Sequence, residues 1–340
     1  MPISRHAEIQ LGHGGGGAMT QQLLDRLILP AFHNNALDAR HDAATLTLPA
    51  GARAAFCTDS HVVSPLFFPG GDIGRLAVCG TANDLAMAGA QPRWLGVGLI
   101  LEEGLAISTL ERIIASMAAS AAAAGIAIVA GDTKVVERGR CDGIYINTSG
   151  VGSIHHDLAI GPRSVRAGDA VLLSGDVGRH GMAILAKREG LAFDSPIESD
   201  CALLWPAVAA LLDAGIEVHC LRDVTRGGLA TAVIEIAEAA ALSITLDEAA
   251  IPVSEPVRGA CEILGLDPLY VPCEGRFVAF VPAAQAATAL QVLGSCAPTG
   301  SASQIGLVRP GAPGEVSLRG VIGVERTLDR LSGEQLPRIC

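Results

Sequence analysis

Apolar and polar positions along the chain alternate in two rhythms. One has the period of strands and the other the period of helices. Near the start, a helix is predicted from about Thr20 to Phe32. Arg53 to Thr58 reads as a strand that runs into Asp59-Ser60. Phe67-Phe68-Pro69-Gly70-Gly71 is a loop, and Ile73 to Gly89 a helix with Gly89 as its stop signal. Trp94 to Leu101 is an apolar strand-like run. Ser108 and Glu111 have the spacing of a capping box that opens the next helix. Ile126 to Ala130 is a strand ending in Gly131-Asp132-Thr133-Lys134, and a further strand lies within Gly143 to Gly152.

Around 155–168 the composition turns to His, Pro, Arg and Gly, which marks a domain boundary. The rhythm then resumes. Ala170 to Ser174 is a strand, Gly175 to Gly181 a glycine-rich turn, Cys201 to Asp213 an apolar helix, and Ile216 to Leu221 a strand. Arg222 to Gly228 is a turn and Leu229 to Ala240 a helix; Arg276 to Val281 is a strand and Ala283 to Leu293 a helix. Mixed elements of this kind predict an α/β or α+β protein with an N-terminal arm and helix over 1–40 and domains over 41–155 and 165–330. The residues from 331 to 340 lack periodicity and read as a flexible tail ending at Cys340.

Composition narrows the class. Half of the residues are apolar and 17% are charged, so a sizeable core can form and the composition argues against intrinsic disorder. The net charge of −11, with no basic stripe, argues against a nucleic-acid surface. Nine cysteines form no C-x-x-C pair, which argues against zinc. Their number is odd and Met1 to His6 has no apolar h-region, so the expectation is reduced thiols in the cytoplasm. Ile113 to Ala130 is uncharged and nearly long enough to span a bilayer. It is mostly Ala, Ser and Gly, interrupted by Gly125, and reads instead as a helix followed by a buried strand.

Several carboxylates stand at strand ends or in turns: Asp59, Asp132 and Asp223. Asp84, after Asn83, falls inside an apolar helix, and Asp42 follows His41. Each alone could be a turn former or cap. As a set they could hold Mg²⁺ against nucleotide phosphates, which removes their mutual repulsion. The chain has neither a P-loop nor a Rossmann glycine motif, so any nucleotide binds by another architecture. Gly14, Gly15, Gly16 and Gly17 form either a phosphate-contacting flap or a disordered arm. Lys134, two positions after Asp132, is either a cation for transferring phosphate or a solvated surface lysine. Glu274 is either a loop general base or an exposed carboxylate. Cys340 is a nucleophile or an incidental last residue. Cys57 and Cys79 read as core, and His180 and His219 as structural.

The segments His13 to Gly17, Thr58 to Ser60, Pro65 to Gly71, Gly80 to Asp84, Gly131 to Val135, Arg222 to Gly228 and Pro337 to Cys340 together resemble the HypE family, the carbamoyl dehydratases of nickel–iron hydrogenase maturation. The ending is the most specific of these. The chain departs at His13-Gly14, where the family is expected to carry Ser at or near the second position.

The resemblance implies a two-domain aminoimidazole-ribonucleotide-synthetase-like fold, with N-terminal domains pairing as a homodimer around a sheet barrel. It implies ATP between the domains, at Gly14, Gly15, Gly16, Asn83, Asp132, Thr133, Lys134 and Asp223. Mg²⁺ would be held by Asp42, Asp59, Asp84, Asp132 and Asp223. Cys340 would receive a carbamoyl group from the carbamoyltransferase HypF. ATP-dependent dehydration, a carbon–oxygen lyase reaction, would give a thiocyanate, with Lys134 and Glu274 as cation and base. Cyanide would pass to iron on the HypC–HypD complex. Kinases and synthetases of the same fold, and a non-enzymatic nucleotide-binding scaffold, are the competing readings.

Overall fold

The computed structural model describes residues 7–38, 43–191, 196–299, 301–331, 336 and 338–340. Asp42 therefore lies outside the described residues. The N-terminal segment contains short helices α1 (Ala18–Leu23), α2 (Leu29–Ala31) and α3 (Asn35–Asp38), with a π-helical turn at Leu24–Ile28 joining the first two.

The first half continues with β1 (Arg53–His61), β2 (Phe67–Phe68), β3 (Gly71–Asp72), α4 (Ile73–Met87), β4 (Gln91–Glu102), α5 (Ile107–Ala124), β5 (Ala127–Val136) and β6 (Ile144–Ile154). Four of the strands form a sheet in the order β1-β6-β4-β5, with only the β4–β5 pair parallel. The strand alternation sends Leu95, Val97, Leu99 and Leu101 into a core shared with α4 and α5. The opposite face is open: Phe56 is 71% exposed and Ile100 41% exposed.

Helix α4 is capped by Asp72, whose carboxylate accepts from the Gly74 and Arg75 amides at 2.8 and 3.2 Å. Ser116 of α5 donates to the other Asp72 oxygen at 2.6 Å, tying the two helices together. Every residue of α4 except Arg75 and Asp84 is buried, so the helix is the hub of the molecule.

The second half comprises β7 (Asp169–Leu173), α6 (Arg179–Glu189), α7 (Trp205–Asp213), β8 (Cys220–Asp223), α8 (Gly228–Ala240), β9 (Ser243–Asp247), α9 (Glu255–Leu264), β10 (Phe277–Pro282), α10 (Ala286–Gly294), β11 (Ser303–Arg309), β12 (Val316–Arg319) and β13 (Glu325–Thr327). Its sheet runs β13-β12-β9-β11-β7-β10-β8. Helix α8 covers one face, and α7 with α10 the other, where Ala86 and Met87 of α4 join the same core.

Several elements differ from the periodicity reading. Helix α5 starts at Ile107 behind Ala106, which makes no side-chain cap, so the Ser108–Glu111 box is not used. The strand expected to end at Ala130 continues to Val136, placing Asp132, Thr133 and Lys134 within a strand rather than in a loop. The apolar run from Cys201 becomes helical only at Trp205, ahead of Pro206, a favoured first-turn residue. The expected strand over Ile216 to Leu221 forms its ladder at Cys220–Asp223. The uncharged run Ile113 to Ala130 is the end of α5, a left-handed Gly125, and the start of β5. No helix among the described residues is long and apolar enough to cross a membrane.

Candidate functional site

A cavity of about 640 Å³ opens where β1, α4, the β8–α8 turn and the tail converge. Its wall includes Asp59, Asp84, Asp223, Glu274, Arg226 and Cys340. This volume lies within the range of small-molecule sites.

Each carboxylate is set there by its element. Asp59 points to the α4 side of β1, opposite Thr148 of β6. Gly80 lets β1 approach: a Cβ there would meet His61 Cε1 at 2.9 Å and Asp59 Oδ2 at 3.3 Å. Asp84 is one turn further along α4, and Asp223 ends β8. Burial and the neighbouring Asp223 and Asp59 push Asp84 up to about 7. Burial foremost, with Asp59 adding, pushes Asp223 up to about 6. Such raised carboxyls mark a cluster in which burial and mutual repulsion outweigh the nearby Arg222 and Arg226.

Glu274 reads in the sequence alone as an exposed loop carboxylate more often than a base, and the resemblance makes it the base. It is 4% exposed, and its Oε1 has no hydrogen-bond partner among the described residues. Burial first, then Asp223, Asp200, Asp59 and Asp84, hold its carboxyl well above the usual range. Its loop is fixed by Asp200, which accepts from the Glu274 and Gly275 amides at 3.2 and 3.3 Å. His61, beside the pocket, is buried and kept neutral by desolvation, with Nε2 3.6 Å from Asp59 Oδ2.

The tail, expected to be flexible, is seated at its end. Ile339 is 3% exposed and packs in the core of the first half, with half-buried Cys340 against the same cluster. Burial, with the nearby Glu274 carboxyl, pushes the Cys340 thiol far up. The resting sulfur is a thiol, and its activation needs a cation or base brought to it.

Other expected residues fall elsewhere. Asn83 is buried and bridges the halves: its amide donates to Ala202 O at 2.9 Å and Glu274 O at 3.3 Å, and accepts from the Leu204 amide at 2.9 Å. It does not line the pocket. Asp132 and Lys134 form an exposed ion pair of 2.8 Å on β5. In register, Asp132 aligns with Gly98, Asn147 and Ser60, on the sheet face opposite Asp59 and three strands, about 14 Å, from β1. Gly14 packs so tightly on β5 that a Cβ would lie 2.5 Å from the Val135 amide nitrogen. Gly15 and Gly16 lie beside it, and the Gly16 amide donates to Thr20 Oγ1 at 2.9 Å. One chain alone therefore does not bring Gly14, Gly15, Gly16, Asp132, Thr133 or Lys134 to the pocket.

Sequence reasoning passed over Arg226, Tyr270 and Arg330, which line the cavity. The signal for Arg226 was present, since the Arg222–Gly228 turn places it three positions after Asp223.

No three metal-ligating side chains converge closely enough, among the described residues, to hold an ion by themselves. Asp59, Asp84 and Asp223 nonetheless share one wall. That donor set suits Mg²⁺, which takes one or two carboxylates and completes its shell with phosphate oxygens and water.

The fold and the pocket between its halves define the class. Residues 40–154 match the N-terminal domain of AIR synthase related proteins, and residues 166–319 match the C-terminal domain. Carbamoyl dehydratase HypE of Cupriavidus necator is 50% identical over 336 residues, spanning 99% of this chain and 96% of that protein. The crystal structure of hydrogenase maturation protein HypE in complex with ATP superposes with a TM-score of 0.94 at 46% identity, covering 97% of this chain and 99% of the other. HypE in a crystallised HypE–HypF complex matches with a TM-score of 0.80 at 42% identity, covering 93% of this chain and all of the other. The chain belongs to the HypE family of hydrogenase maturation proteins.

Proposed function

We propose that this chain dehydrates a carbamoyl group carried on its own Cys340, using ATP, to a thiocyanate that supplies cyanide to hydrogenase iron. The observation that carries this reading is the position of Cys340 in the same cavity as Asp59, Asp84, Asp223 and Glu274.

The chemistry follows from the wall. A carboxamide oxygen is a poor leaving group. Transfer of the γ-phosphoryl of ATP to that oxygen releases ADP and turns the oxygen into a phosphate ester. Loss of both N–H protons then forms the C≡N bond as the carbon–oxygen bond breaks and phosphate departs. Asp59, Asp84 and Asp223 would hold Mg²⁺ on the nucleotide, which would neutralise charge on the transferring phosphoryl group. Arg226 is a cation of this chain in the pocket. Glu274, in the same pocket wall, would take the amide protons once it is ionised, and its raised carboxyl would make it a strong base in that state.

Lys134, Asp132, Thr133 and the glycines at 14–16 act at a nucleotide only from a second copy of the chain. The uncovered face bearing Phe56 and Ile100 supports a homodimer. HypF is the proposed carbamoyl donor and HypC–HypD the proposed acceptor, with the cytoplasm as the compartment. In Cys340→Ala, ATP binding persists and thiocyanate formation is abolished. Thiocyanate formed in that variant at the wild-type rate removes Cys340 from the reaction.

A further inference from the structure

We propose that His180 and Arg188, both on α6, form a latch that holds the tail in its inward seat and thereby positions the Cys340 sulfur. Its catalytic consequence rests on the dehydratase reading above, whereas its geometry does not.

The last three carbonyls of the chain each have a donor. The Val62 amide donates to Cys340 O at 3.2 Å, and the Ser64 amide to Arg338 O at 3.3 Å. This one-sided antiparallel pairing lays the tail along the segment after β1. Two side chains from the other half of the molecule complete it. Arg188 Nη2 donates to both Arg338 O and Ser64 O at 2.7 Å, straddling the tail and the segment it lies on. His180 Nε2 lies 2.9 Å from Ile339 O. Thus the C-terminal half grips a tail seated on the N-terminal half.

The geometry fixes the tautomer of His180. A carbonyl oxygen only accepts, so Nε2 carries the proton. Nδ1 is then a bare acceptor, and Ser199 Oγ, at 2.8 Å, donates to it. Ser199 Oγ in turn accepts from the Cys201 amide at 3.0 Å. The imidazole is fully buried, kept neutral by desolvation, and meets the edge of Phe68 at 5.4 Å between centroids. Gly181 lets α6 pack on the segment before Glu274: a Cβ there would lie 2.5 Å from Val271 Cγ1. A buried imidazole held by a two-member relay is a rigid donor, and the tail carbonyl is its acceptor.

His180 and Arg188 do not line the cavity, so they are positioning residues rather than catalytic ones. Among the described residues, their hydrogen bonds to the tail reach the backbone carbonyl oxygens of Arg338 and Ile339. The latch therefore holds the tail equally well whether the sulfur carries a proton, a carboxamide or a nitrile. A carrier that must present one sulfur in several chemical states needs a grip that ignores the cargo.

The test uses the full-length chain and His180→Ala, His180→Gln and Arg188→Ala. Three quantities are measured. They are alkylation of Cys340 by iodoacetamide, read on its own peptide; single-turnover dehydration of pre-carbamoylated protein with ATP; and ATP affinity. Removing one buried donor is expected to raise the alkylation rate and lower the dehydration kcat by about tenfold each, with the KM for ATP unchanged. Gln can return a donor near the Nε2 position, so His180→Gln recovers most of both. If His180→Ala does not fold, Arg188→Ala decides the matter. Wild-type alkylation and kcat in Arg188→Ala, with no loss in His180→Ala where it folds, would overturn the latch. Failure of the unsubstituted chain to form thiocyanate would instead overturn the dehydratase reading, and the alkylation rates would still judge the latch.

Discussion

Asp84→Asn should make the ligand-free protein more stable while stopping ATP turnover. Asp84 is the charged residue on an otherwise buried helix face, it faces Asp223 and Asp59, and its carboxyl is pushed up to about 7. The folded state therefore holds the Asp84 proton more tightly than the unfolded chain does. At pH below the ordinary carboxylate value, Asp84 is protonated in both states and carries no penalty. As pH rises, the unfolded chain ionises first, and the penalty grows until it is complete above about 7. A shift of about 3 units corresponds to about 4 kcal/mol. Because part of the Asp84 shift comes from the charge of Asp223, itself pushed up to about 6, about 2 kcal/mol of this belongs to Asp84 alone. That corresponds to a rise in Tm of about 3 °C for a chain of this size. The assay is thermal unfolding of wild type and Asp84→Asn without nucleotide, at pH values from 4 to 8. The gap should be small at the acid end and widen toward the alkaline end. A gap that does not change with pH, or an asparagine variant less stable at pH 8, refutes the electrostatic account of this pocket.

Other substitutions probe separate parts. Glu274→Gln should slow dehydration of the carbamoylated protein by about a hundredfold or more, with ATP affinity retained. The wild-type rate should also climb with pH well above the usual carboxylate range, as Glu274 ionises, and a Gln variant with the same profile would exclude Glu274 as the base. Phe56→Glu puts a charge on the uncovered sheet face, and light scattering after size exclusion should show a monomer where the wild type gives a dimer. Asp72→Ala removes the α4 cap and its link to Ser116, and denaturant unfolding should show a loss of about 1–2 kcal/mol.

Much of the first half was legible in the sequence because its strands alternate and its helices end in glycine. The Ile73–Gly89 pattern located α4 to within two residues of Met87. The second half was harder. Its sheet buries both faces of β7, so alternation vanishes there. Strands β9 and β11 pair only with partners distant in sequence, and no local turn signal announced them. The tail was legible as aperiodic, but its seat was not, because that seat is made of backbone carbonyls meeting Val62, Ser64, His180 and Arg188.

Asp59, Asp84 and Asp223 were recognisable as candidates from their strand-end and helix placement, and the fold gathers them. Which face of a strand a residue takes depends on register, and register is tertiary. That is why Asp132 and Asp59, similar as sequence signals, stand on opposite faces of one sheet. The burial of Glu274 likewise depends on Asp200, far away in the chain, which anchors its loop.

The central claim is that the Cys340 sulfur is the site at which ATP-driven loss of water occurs. Intact-mass analysis of the Cys340 peptide tests it most directly. Incubation with the carbamoyl donor should add one carbamoyl group there, and later addition of ATP should remove the mass of one water from that same peptide. A carbamoylated peptide whose mass does not change while ATP is hydrolysed, or a modification that maps to any other residue, contradicts the account.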